Sequence, residues 1–132
     1  MAQLKATTYR GLSDLVGPPD VNEKIGVPVK IGHNTTAERT GSALPSILVR
    51  LHGHPIVRLW ASGRVDWTLA GYGTVTTRER VNQFLPPHRG VGQTDHVQVW
   101  RAWGGEGVRE NLTETPIDPR AWYDQDGQEV SR

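Results

Sequence analysis

The chain has 132 residues and no cysteine. Disulfides, thiolate metal sites and cysteine nucleophiles are therefore excluded. A small secreted domain, which more often carries disulfides, is disfavoured on the same ground. No apolar run follows the first basic residues, so no signal peptide is visible. No stretch approaches the roughly 20 apolar residues that a spanning helix needs, and no membrane association is expected. The P-loop, the Gly-x-Gly-x-x-Gly turn and the Gly-x-Ser-x-Gly elbow are all missing. No cofactor is implied, and catalysis has no motif behind it. There is no internal repeat and no low-complexity tract.

What is present describes a turn-rich single domain. The apolar fraction is 36%, below the usual globular range, while 15 glycines and 9 prolines punctuate the chain. The length suits one domain with a modest core, spanning 1–132. Within it, residues 1–28 are expected to form an irregular N-terminal arm and residues 29–130 a β-rich core. Trp60, Trp67, Trp100, Trp103 and Trp122 supply much of that core or of an interface.

Net charge is +1, but the charges are unevenly placed. Residues 50–89 carry six arginines against Asp66 and Glu79, and residues 103–132 carry seven acids against three arginines. A basic middle fits a nucleic-acid or phosphate site. It fits equally a head-to-tail contact between copies, or two solvated faces.

Periodicity predicts mainly strands. Val27 to Ile31 reads as a short strand, Gly32 to Thr36 as a turn, and Thr40-Gly41-Ser42 as a loop. Ile47, Val49 and Leu51 alternate with Leu48, Arg50 and His52, as in a half-buried strand. His54-Pro55 breaks that strand, and Ile56 to Trp60 resumes it. Ala61-Ser62-Gly63-Arg64 connects to Val65–Leu69, with Trp67 turned to the core. Val97–Trp103 alternates as a further strand, Val108–Glu114 as its partner. Ala121–Val130 reads as a final hairpin turning at Asp126-Gly127. One helix is expected over about 76–85. Thr76 fits its N-cap, Glu79 completes a capping box, Val81, Phe84 and Leu85 share a face, and Pro86-Pro87 ends it. The fold class is thus α+β and β-rich: a small twisted antiparallel sheet or barrel with one short packed helix.

The start of that helix is the best candidate site. First-turn amides have no internal acceptor, and the helix dipole places partial positive charge there. Thr74, Thr76 and Thr77 add hydroxyls, and Arg78 and Arg80 add forked cations. Asn82 lies one turn after Arg78. Phosphate or carboxylate binding needs such a set. Capping alone accounts for Thr76, strand propensity for Thr74, and solvation for Arg78 and Asn82. His52-x-His54 could present two imidazoles to a metal, with His33 or His96 as a third ligand. Pro55 distorts such a strand, so a hydrogen-bonded His52 is the simpler reading. Asp124-Gln125-Asp126-Gly127 lacks the ligand spacing of a calcium loop and reads as a turn. Trp60, Tyr72, Trp100 or Trp103 near arginines could stack bases.

Asn34-Thr35, Leu51-His52, Ser62-Gly63 and the run Thr74 to Asn82 together resemble small uncharacterised proteins of bacteriophages, particularly those of actinobacteria. Members share an Asn-Thr turn, a Leu-His strand, a Gly-containing hairpin and a Thr-Val-Thr-Thr-basic-x-Arg-apolar-Asn segment. The resemblance covers roughly residues 29–86. It departs at Tyr72, often Trp in such proteins, and at His33, which replaces an Asn. It implies a phage protein of the host cytoplasm, or one associated with the virion, that works by binding. The first expectation is nucleic acid or a nucleotide phosphate. The helix start would hold phosphate, Arg78 and Arg80 would supply charge, and Asn82, His52 and Asn34 would read a base or sugar. The alternatives are a protein-interaction module and a small metal-dependent hydrolase using His52 and His54. The module would bind a host protein, a virion component or its own copies through Trp100, Trp103 or Trp122.

Overall fold

The computed structural model describes residues 3–17, 27–41, 44–103 and 112–130. Among these, strands dominate and two short helices accompany them, as a β-rich α+β chain should. The strands form two antiparallel sheets rather than one closed barrel. Six strands follow one another in the order β1 (Val29–Gly32), β2 (Thr35–Arg39), β3 (Ser46–Leu51), β4 (His54–Trp60), β5 (Val65–Trp67) and β9 (Tyr123–Asp124). The other sheet orders β6 (Arg89–Thr94), β7 (Val97–Trp103) and β8 (Leu112–Pro116).

Rings join the two sheets. Trp67 on β5 stacks on Trp100 of β7 at 5.4 Å between centroids, and on Tyr123 of β9 at 5.0 Å. The indole N–H of Trp67 donates to the Asp124 carbonyl at 2.8 Å, so the buried polar end of the ring is satisfied. Around this stack lie Ile47, Val49, Val57, Leu59, Leu69, Val81 and Phe84. Trp67 faces the core as its alternation predicts.

Helix α1 (Tyr9–Val16) lies inside the stretch expected to be irregular. Thr8 caps it, its hydroxyl accepting from the Gly11 amide at 3.1 Å, and Leu12 and Val16, one turn apart, are buried. Gly11 sits mid-helix because a larger residue would press on Ala6. Strand β2 replaces part of the expected turn. Its Thr35, Ala37 and Arg39 are buried while Thr36 and Glu38 are half-buried, a period-2 pattern written in small and polar residues. Arg39, only 1% exposed, donates to the Gly17 carbonyl, the Ser13 hydroxyl and the Tyr9 hydroxyl. It thereby clamps the C-terminal end of α1, where the dipole is negative.

The break between β3 and β4 falls two residues before the expected His54-Pro55. The turn is His52-Gly53, and Pro55 lies inside β4. Val49 pairs with Val57 and Arg50 with Pro55, so the register shifts there. A bulge tolerates the missing proline donor.

Helix α2 runs Val75–Asn82, and its N-cap is Thr74 rather than Thr76. Thr74 is extended and its hydroxyl accepts from the Thr77 amide at 3.2 Å. Starting there turns Thr77, Arg80 and Val81 inward on one face. Of the expected partner strand Val108–Glu114, the part up to residue 111 lies outside the described residues; β8 begins at Leu112. The C-terminal hairpin turns at Asp126-Gly127, with the Gly127 amide donating to the Asp124 carbonyl.

Candidate functional site

Two tight turns of the same kind build the site. In Leu51-His52-Gly53-His54, His52 and Gly53 take φ of 51° and 82°. In Leu69-Ala70-Gly71-Tyr72, Ala70 and Gly71 take 54° and 85°, and the Tyr72 amide closes the turn on the Leu69 carbonyl at 2.8 Å. Successive positive φ values are those of the turns that suit tight hairpins. Each turn thus ends by presenting an aromatic ring, His54 or Tyr72, at the same offset from its glycine. The rings meet: their centroids are 4.9 Å apart, tilted by 47°, and the Tyr72 hydroxyl lies 3.3 Å from His54 Nε2.

The chain then runs through Gly73 into α2, whose first turn faces the same space. The result is a cavity of about 370 Å³. Leu51, Ile56 and Leu69 form its apolar floor, His52, His54 and Tyr72 one wall, and Thr74, Thr76 and Thr77 the other. The volume lies at the lower end of the roughly 300–1,000 Å³ typical of small-molecule sites. The amides of Val75 and Thr76 sit in the first turn, where the helix itself supplies no acceptor. The Thr74 and Thr77 hydroxyls already engage each other at 2.9 Å, and Thr77 is buried. Thr76 is exposed and has its hydroxyl to offer.

Four of the residues expected to act together therefore do converge: His52, Thr74, Thr76 and Thr77. The other four do not line the cavity. Asn34, at φ 52°, lies beside His52, whose amide donates to the Asn34 carbonyl at 2.8 Å. Arg78 turns toward the three-stranded sheet, where one guanidinium nitrogen donates to the Gly73 carbonyl and to Gln93 and Gln98. Arg80 is 2% exposed, and donates to the Gln83 side chain and the His33 carbonyl. Burial lowers its pKa by penalising the charged form. Asn82 spends its amide on β6, accepting from the Val91 amide at 2.7 Å and donating to the Val91 carbonyl at 3.0 Å.

The basic middle is not a basic face. Arg50 pairs with Glu38, Arg64 with Asp66 and Arg89 with Asp126. Arg58 lies over the Trp60 ring at 5.4 Å. With Arg78 on neutral acceptors and Arg80 buried, each of the six arginines is engaged within the chain. One acid of the tail, Asp126, is a partner, so part of the charge asymmetry is resolved internally.

The alternatives lose specific supports. Trp100, one of three expected surface anchors, is buried in the ring stack. Among the described residues no three His, Asp or Glu side chains are grouped to hold a metal ion, and neither His33 nor His96 lines the cavity with His52 and His54. Asp124 acts as a turn former, its carboxylate accepting from the Asp126 and Gln128 amides. No helix among the described residues is long and apolar enough to cross a membrane.

Sequence reasoning missed the pairing of Tyr72 with His54 and the apolar floor beneath them. The signal was present as His-Gly-His and Ala-Gly-Tyr, each a turn dipeptide followed by a ring. Comparison with family models, with curated proteins and with solved structures finds no match.

Proposed function

We propose that this chain acts by binding, and that it takes nucleic acid or a phosphate-bearing nucleotide in the cavity at the start of α2. One observation carries the reading: the first turn of α2 opens into the same apolar-floored cavity as two imidazoles and a phenol. A phosphate group suits the amides of Val75 and Thr76 and the Thr76 hydroxyl, where the helix dipole favours negative charge. A base or sugar suits the wall of His52, His54 and Tyr72. Arg78 and Arg80 take no part, since their guanidinium groups point elsewhere. The proposal takes the chain for a bacteriophage protein working in the host cytoplasm, on the resemblance of residues 29–86.

Val75 provides the test. It is 60% exposed at the first helical position, and Thr74 before it is extended, the conformation that a following proline prefers. Val75→Pro therefore deletes one ligand-facing amide proton without breaking α2. Stability should stay within about 0.5 kcal/mol of the parent. Affinity for nucleotides in a calorimetric titration should fall several-fold, and further with Thr76→Val. Unchanged affinity in both variants would place the ligand elsewhere.

A further inference from the structure

Resting on that reading, we infer that the cavity takes a single nucleotide unit, its ring seated against Tyr72 and His54, and that the chain is not a strand-tracking protein. Three observations carry this. The first is the cavity itself: about 370 Å³ over a buried apolar floor of Ile56 and Leu69 matches the size of a site for one small molecule.

The second is the ring pair. Proteins that hold single strands array several aromatic side chains so that successive bases each find a face. Here Tyr72, 47% exposed, and the exposed imidazole of His54, which leans on it at a tilt, make up a single ring pair. Of the other candidate platforms, Trp100 is stacked in the core, and Trp60 lies outside the cavity with Arg58 over its ring. One base can be accommodated on the Tyr72–His54 pair; a second would find only the His52 imidazole in the cavity wall.

The third is charge. Strand binding needs a continuous row of cations along the backbone. The arginines of residues 50–89 are held by Glu38, Asp66, Asp126, neutral acceptors, an indole face and the interior. None of them lines the cavity.

The experiment titrates the full chain with inorganic phosphate, adenosine 5′-monophosphate and a ten-residue oligodeoxyadenylate, using parent, Tyr72→Ala and Tyr72→Phe proteins. The expected result is that, per nucleotide unit offered, the monophosphate and the oligomer bind with the same affinity within about threefold. Tyr72→Ala should weaken the monophosphate about tenfold or more, the loss of one base stack, and leave inorganic phosphate unchanged. Tyr72→Phe should stay near the parent. Affinity for the oligomer that exceeds the monophosphate's by clearly more than the roughly tenfold that ten equivalent units give statistically would overturn the single-unit inference while keeping the nucleic-acid reading of the site. Binding of none of the three probes would overturn both. Tyr72 is half exposed and stands outside the buried core, its ring against the exposed His54, so the alanine variant has little to unfold; the phenylalanine variant controls for the lost hydroxyl.

Discussion

Asn82 illustrates how a polar residue at a promising spacing can be fully spent on structure. The Trp103 amide donates to the His88 carbonyl, so alternate residues of β6 bond β7 and the backbone groups of Val91 point away from it. Its amide and carbonyl are then the exposed rungs of a sheet edge, and the Asn82 side chain completes both. Gly90 leaves room for this, since a Cβ there would press on the Asn82 carboxamide oxygen. Asn82→Ala strands both backbone groups, and the cost should be about 1–3 kcal/mol. Urea denaturation should register that loss, whereas nucleotide affinity of the folded protein should not change. The reverse pattern, intact stability with lost binding, would return Asn82 to the ligand. The sequence shows an asparagine one turn after an arginine. It cannot show that the two point to different sides, because that depends on which backbone lies opposite each.

Among the elements, those with strong apolar alternation were legible and those made of polar residues were not. Strands β3, β5 and β7 follow from period-2 patterns, and Trp67 faces inward as the pattern requires. Burial itself does not alternate in them, since Leu48 of β3 and Asp66 of β5 are buried as well, whereas β2 does alternate, but its Thr35, Ala37 and Arg39 do not look like a core face. Helix α1 hides behind a mid-helix glycine and two turns of length. The start of α2 was displaced by two residues because Thr74 and Thr76 are equally good caps; packing of Thr77 and Val81 decides between them. In the smaller sheet, Glu114 of β8 meets Arg101 at 2.6 Å and the Thr94 hydroxyl at 2.9 Å. Hydrogen bonds from Arg101, then from Thr94, hold its pKa below the usual glutamate value. A carboxylate depressed in the folded state stabilises above its ordinary pKa, about 4.3, and that contribution is lost as pH falls through the lower folded value. Glu114→Gln should therefore lower the urea midpoint at pH 7, and the gap to the parent should close as the pH drops below about 4. A gap that persists unchanged in acid would mean that the charge of Glu114 is irrelevant.

At the scale of the molecule, composition and topology point in different directions. The linear sequence separates a basic middle from an acidic tail, which suggests a surface of one sign. The fold brings parts of the two together, since Asp126 returns to Arg89, and beyond the basic middle β8 lays Glu114 against Arg101. Surface ion pairs of this kind add little stability, but they remove cations that a phosphate backbone would otherwise recruit. This separates the two ways in which a nucleic-acid chain could meet the protein. Each phosphate neutralised along a single strand contributes about −0.7 to the slope of log affinity against log salt. A chain that grips one terminal unit should give a slope near −1 or shallower with the ten-residue oligomer, close to the slope for the monophosphate. A strand lying across several arginines should give about −3 or steeper, because at least four phosphates would shed their counterions. Measuring both slopes between 50 and 300 mM salt tests the electrostatics of the whole fold independently of the cavity variants. A steep slope for the oligomer beside a shallow one for the monophosphate would mean that the ion pairs open on binding and that the arginines of residues 50–89 do engage the strand.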